Sequence, residues 1–149
     1  MKLFGKSEKI IQRILIVEDE PLVAFDNEHF LEEEGYAVVA TVDELADAKR
    51  VLDEEKVDLV LCDLRLHGQG DGSDVARYAA SKKIPVLYVT AYTPPQEGGA
   101  AIGCLAKPYT AKMLTSALAT LENYLAGKMV RRLPPGLTLY PQPDGALPG

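Results

Sequence analysis

Four apolar, largely β-branched runs divide this chain, and each stops at a polar residue. Ile14-Leu15-Ile16-Val17 ends at Glu18-Asp19, and Val57 to Cys62 ends at Asp63. Ile84 to Val89 ends at Thr90, and the shorter Ile102 to Ala106 ends at Lys107-Pro108. Near-continuous apolar runs of this length are what strands of a parallel sheet look like when both faces are covered. In such a sheet every strand end points the same way, and ligands bind at the carboxyl edge where the strand order reverses. The pattern therefore predicts that Glu18, Asp19, Asp63, Thr90 and Lys107 converge on one small pocket. Acids, a hydroxyl and one cation together suit a divalent metal and a phosphoryl group.

The segments between the runs have helical spacing. Pro21 stands at a first helical turn, where its missing N–H costs nothing. Val23, Asn27, Phe30, Leu31 and Glu34 follow along one stripe, and Gly35 stops the helix. Tyr36 to Thr41 reads as a further strand. Thr41-Val42-Asp43-Glu44 has the spacing of a capping box, with Leu45, Ala48 and Leu52 as the helical face behind it. Gly68, Gly70 and Gly72 mark a loop, and Ser73 is a candidate cap for a helix carrying Val75, Ala76 and Ala79. Pro94-Pro95 and Gly98-Gly99 weaken the next crossover, so a short mobile helix or an irregular loop is expected there. Leu114, Ala117, Leu118, Leu121 and Leu125 define a last helix. Five strand–helix repeats imply an α/β fold with a five-stranded parallel sheet. It is doubly wound in the flavodoxin-like order 2-1-3-4-5, with helices on both faces.

At 149 residues the chain suffices for one domain. We place it at residues 12–127, after an N-terminal extension over 1–11. Lys2, Lys6 and Lys9 lie in a start that has no apolar core, so no secretion signal is read there. Beyond Gly127, Pro134, Pro135, Pro141, Pro143 and Pro148 predict an extended or disordered tail over 128–149, dispensable for the fold. Leu133, Leu137, Leu139 and Tyr140 are the residues by which that tail could dock. A net charge of −6 argues against general nucleic-acid binding. No apolar run reaches the ~20 residues that span a membrane. Cys62 and Cys104 fall in buried strands without a CxxC spacing, which fits a reduced, cytoplasmic protein.

Taken in order, I-L-I-V-E-D-E-P from Ile14, L-V-L-C-D-L-R-L with Asp63, Thr90-Ala91 and Lys107-Pro108 resemble the receiver domain of bacterial two-component response regulators. The resemblance covers residues 12 to about 126 and implies roles at each position. Asp63 would accept a phosphoryl group from a histidine kinase or histidine phosphotransferase. Mg2+ would be held by Asp19 and Asp63 directly, by Glu18 through water, and by the backbone carbonyl of Arg65. Lys107 and Thr90 would contact phosphoryl oxygens, and Ala91 would leave room for the group to enter. The implied protein is a stand-alone regulator, monomeric or weakly dimeric. It has no DNA-binding or other output domain, acts on an unidentified downstream protein and promotes its own phosphorylation and dephosphorylation.

The chain departs from the family at one position. Receivers typically carry Tyr or Phe three residues before the lysine, as a ring that swings inward on activation, and here that residue is Cys104. Tyr92 is the substitute aromatic that the sequence offers. His67, four residues after Asp63, reads as an exposed loop residue, since a lone histidine makes no metal site, although a ligand or proton-carrying role stays open. His29 reads as surface. Three other functions compete. A phosphorylation-independent adaptor would not need the acid, hydroxyl and lysine set. A flavin or nucleotide binder would want a phosphate cradle where Glu18-Asp19-Glu20 stands. A metal-dependent hydrolase would need a substrate pocket for which nothing in the sequence speaks.

Overall fold

The computed structural model describes residues 9–68 and 70–141. Lys2, Lys6, Pro143 and Pro148, on which part of the reading above rests, lie outside them. The chain runs β1 (Arg13–Val17), α1 (Pro21–Glu33), β2 (Ala37–Val42), α2 (Leu45–Glu54), β3 (Leu59–Asp63) and α3 (Gly72–Ser81). It continues with β4 (Val86–Thr90), β5 (Gly103–Ala106), α4 (Ala111–Leu125) and β6 (Leu137–Leu139). The sheet order is β2-β1-β3-β4-β5-β6. The first five strands are parallel in the expected 2-1-3-4-5 order, and β6 joins β5 antiparallel.

Strand alternation divides the apolar residues between two cores. Ile14, Ile16, Leu61, Leu87 and Leu105 face α1 and α4, where Leu31, Leu114, Leu118 and Leu121 meet them. Leu15, Val17, Val60 and Val86 face the opposite side, against Val51, Leu52, Val75 and Ala79 of α2 and α3. The stripe predicted for the last helix is the buried face of α4, residue for residue. Gly35 closes α1 at φ +95°, a backbone region that side chains with a Cβ rarely enter. No helix among the described residues is long and apolar enough to cross a membrane.

Two capping assignments change. Thr41 belongs to β2, and its hydroxyl donates to Glu28 at 2.8 Å. Helix α2 therefore follows Glu44 at the N-cap position, without a side-chain cap. At α3 the cap is Asp71 rather than Ser73. Asp71 accepts from the Ser73 and Asp74 amides, and the Asp74 carboxylate returns a bond from the Asp71 amide. A carboxylate at that position also favours the positive end of the helix dipole.

The crossover from β4 to β5, residues 91–102, has no helix, which is one of the two outcomes expected. Pro94 and Pro95 lack the N–H that a helical turn needs, and the Gly98-Gly99 pair adds chain entropy against one. A turn from the Ala101 amide to the Gly98 carbonyl, 3.0 Å, ends the segment.

The described part of the tail, residues 128–141, docks on the sheet through Leu137, Leu139 and Tyr140, three of the residues named for that role. Leu137 and Tyr140 are only 6% and 3% exposed, and β6 pairs Leu137, Thr138 and Leu139 with Leu105, Cys104 and Gly103. Gly103 permits this approach, because a Cβ there would lie 2.8 Å from the Thr138 carbonyl oxygen. Among the described residues, Pro134, Pro135 and Pro141 flank the strand rather than occupy it. Pro134 even accepts the Leu137 amide at 3.2 Å, closing the turn that leads in.

Candidate functional site

Parallel register brings the polar strand ends together. Glu18 extends β1 by one more bond, its amide donating to the Val42 carbonyl at 2.9 Å. Asp63 is the last residue of β3 and pairs with Val89, and Thr90 is the last residue of β4. Thr90 pairs with Ala106, and its carbonyl accepts the Lys107 amide at 2.7 Å. Lys107 is thus carried to the same edge as the acids, and the peptide bond to Pro108 is cis.

Glu18, Asp19 and Asp63 each present a carboxylate oxygen within 4.8 Å of the others. Lys107 Nζ reaches across the cluster, 3.1 Å from Glu18 Oε1 and 3.0 Å from Asp63 Oδ2. Asp63 Oδ1 accepts the Arg65 amide at 3.0 Å, which fixes the carboxylate plane. Asp19 Oδ2 accepts the His67 amide at 2.8 Å and lies 3.0 Å from His67 Nδ1. Thr90 is buried, and Oγ1 accepts the Tyr92 amide at 3.1 Å. Ala91 is exposed beside it.

Glu18, Asp19, Asp63 and Lys107 therefore meet, Thr90 ends the neighbouring strand, and Tyr92 stands apart. Tyr92 is 60% exposed, and its ring lies under the Arg65 guanidinium at 4.2 Å, a cation–π contact on the outer rim. His67 is exposed as read, yet it touches Asp19, a contact no local signal announces. Asn27 lies on the buried stripe of α1 with Ala24 and Leu31. It is buried there because its amide donates to the Tyr109 hydroxyl at 2.8 Å, beneath the cluster. Close approach at α3 supports the site from behind. A Cβ on Gly72 would lie 2.4 Å from the Asp63 carbonyl oxygen, so only glycine lets the helix start so near the end of β3.

Three acids face one lysine in a pocket where Glu18 is 4% exposed and Asp63 8%. Burial pushes the Glu18 carboxyl up to about 7, with Lys107 opposing the shift and Asp63 adding to it. Burial works against charge on Lys107 too, but Asp63 and Glu18 outweigh it and hold the ammonium above its ordinary value. The sign of the linkage follows. Between its ordinary value of 4.5 and about 7, Glu18 binds a proton in the folded chain and not in the unfolded one. Without metal, stability relative to Glu18→Gln should rise as pH falls from 7 towards 4.5. Urea unfolding of both proteins in chelator tests this; a flat difference would mean that folding leaves the Glu18 carboxyl unshifted, and a reversed one that Lys107 outweighs burial. Added Mg2+ should remove the trend by favouring the ionised carboxylate.

The donor set is all hard oxygen, with excess negative charge, which fits Mg2+ better than a softer metal. A family profile described as "Response regulator receiver domain" matches residues 14–119. PdtaR, a transcriptional regulatory protein of Mycobacterium tuberculosis, is 33% identical over 113 residues. The match covers 72% of this chain and 55% of the relative, so the chain spans about half that protein's length. The solution structure of SdrG from Sphingomonas melonis Fr1 superposes with a TM-score of 0.63 at 32% identity, covering 75% of this chain and 97% of that one. The receiver domain of the sensor histidine kinase PA1611 from Pseudomonas aeruginosa PAO1 was solved with a magnesium ion coordinated in its active-site cleft. It matches at 28% identity and a TM-score of 0.60, covering 70% of this chain and 92% of its own.

Proposed function

Since this chain belongs to the response regulator receiver family of two-component signalling, we propose that Asp63 accepts a phosphoryl group from a phosphohistidine donor and that the modified protein signals by docking on a downstream protein. The observation that carries this reading is the placement of Lys107 Nζ within 3.1 Å of both Glu18 and Asp63 at the carboxyl edge of the sheet. A lysine so placed is a point charge ready for a phosphoryl oxygen. In the transfer, an Asp63 carboxylate oxygen forms the new P–O bond as the P–N bond to the donor imidazole breaks. The Arg65 amide keeps Asp63 oriented for that attack. Thr90 offers its hydroxyl to a second phosphoryl oxygen, and exposed Ala91 leaves the entrance open.

Asp19 and Asp63 would hold Mg2+ directly, with Glu18 through water and the Arg65 carbonyl completing the protein's share. When bound, the ion supplies the positive charge that lets a carboxylate approach a phosphoryl group. The donor is a histidine kinase or phosphotransferase, and a cytoplasmic setting matches two buried free cysteines. Incubation with Mg2+ and acetyl phosphate, read by intact mass, tests the reading. One added phosphoryl group is expected, and an unchanged mass at saturating donor would sink it.

Lys107 gives a second test. Lys107→Ala should bind Mg2+ as tightly as the wild type or more tightly, because a competing cation leaves an acidic pocket. The same variant should fail to convert phosphorylation into a structural response. Calorimetric titration measures the first part, and weaker Mg2+ binding would mean that Lys107 supports the metal site rather than competing with it.

A further inference from the structure

Cys104 stands where receivers carry an aromatic ring, and the structure fills the space beside it from another part of the chain. Tyr140, one residue beyond β6, is 3% exposed and packs in the same core as Cys104, Tyr88 and Ala101. The Cys104 thiol and the Tyr140 side chain are in hydrogen-bonding contact. The Tyr140 amide donates to the Ile102 carbonyl at 3.0 Å, and its hydroxyl donates to the Pro95 carbonyl at 2.8 Å. The ring lies directly on Gly98, where a Cβ would come within 2.1 Å of it. A side chain from the tail thus pins the middle of the 91–102 connection to the sheet.

The same connection is held at its start by the site. The Tyr92 amide rests on Thr90 Oγ1, and Tyr92 precedes Pro95 by three residues. Turning the Thr90 hydroxyl towards a phosphoryl group on Asp63 gives up that bond and shifts the chain leading to Pro95. Since the segment has no helix of its own, little else resists the movement.

We propose that Tyr140 is the moving aromatic of this chain: it tethers the 91–102 connection in the unmodified protein, and phosphorylation of Asp63 releases it together with β6. The proposal rests on the reading that Asp63 is the phosphoacceptor. Its energetic basis is a differential contact, as any switch requires. The bond from Thr90 to the phosphoryl group exists only in the modified state, and the bond from Tyr140 to Pro95 only in the unmodified one. Burial fits the resting position, since it raises the Tyr140 hydroxyl to about 12 and the Cys104 thiol to about 11, keeping both neutral and able to donate. Release leaves the outer hydrogen-bonding edge of β5 open, a surface that an extended segment of a partner can pair with.

Hydrogen exchange on the full chain in Mg2+, with and without beryllium fluoride, tests this, with intact mass after acetyl phosphate as a separate readout. The Tyr140 amide and the β5–β6 ladder amides should lose protection several-fold with the mimic, while the amides of β1 and β3 stay unchanged. Tyr140→Phe, which keeps the ring and removes the hydroxyl with its bond to Pro95 and its contact with Cys104, should speed exchange of the Ala101 amide about five-fold or more without any mimic, at least the effect of one net hydrogen bond. Phosphorylation of Asp63 with an unaltered β5–β6 ladder would overturn the switch and leave the phosphoacceptor reading intact. Absence of both mass gain and mimic binding would remove that reading and the switch with it. Unchanged loop exchange in Tyr140→Phe would overturn the tether itself.

Discussion

Asp63→Asn will not be labelled by acetyl phosphate, whereas the wild-type chain in Mg2+ gains one phosphoryl group. Asparagine keeps the size of the side chain and still accepts the Arg65 amide, which in the wild type lies 3.0 Å from Oδ1. It removes the anionic oxygen that now sits 3.0 Å from Lys107 Nζ, and with it the nucleophile. The effect is complete loss rather than slowing, because a carboxamide forms no acyl phosphate. Glu18 and Asp19 lie within 4.8 Å of the same carboxylate and share its pocket, which makes the variant a sharp control. Undiminished labelling would place the phosphoacceptor on one of them. Labelling that persists in excess chelator would remove the metal from the reaction.

Deleting residues 128–149 will cost the fold several kilocalories per mole, against the dispensability that the proline-rich composition suggests. Leu137 and Tyr140 are each more than nine-tenths buried. Burying a side chain of that kind is worth about 1.5–3 kcal/mol, and the β5–β6 ladder adds to it, less the entropy of ordering the strand. A net loss of about 3–5 kcal/mol is expected, and for a chain of this size that lowers the melting temperature by roughly 10 °C. The deletion also bares the Gly103–Ala106 edge, which invites pairing between copies. Urea and thermal unfolding of the shortened chain measure the loss, and light scattering the association. A shortened chain that melts with the wild type would show that β6 is held too weakly to act as a latch.

Much of the site could be read from the chain because its residues sit at strand ends. Glu18, Asp63, Thr90 and Lys107 each follow an apolar run, and a parallel sheet puts such positions on one edge whatever the side chains are. Five strands in the order 2-1-3-4-5 follow from the same repeats. The helix caps were harder. Thr41 and Ser73 have suitable side chains at suitable spacings, but whether such a residue caps depends on where the strand before it ends. Strand β2 runs through Thr41 to Val42, one residue past the expected end, and the cap is lost.

What the sequence determines by itself is thus the part written in near-neighbour order: alternation along β1 and β3, the stripe of α4, the stop at Gly35 and the convergence of the polar strand ends. Three features were decided only by tertiary structure. These are the contact of His67 with Asp19, the burial of Asn27 against Tyr109, and above all the return of the tail as β6 with Tyr140 beside Cys104. A three-residue strand has too little periodicity to show in sequence, and its prolines argue against it. Its stability comes from a partner more than thirty residues earlier, an unpaired β5 edge with a glycine at the contact point and a gap left by a small side chain. An edge pairing of that kind depends on complementarity between distant surfaces, and that quantity exists only once the sheet has formed.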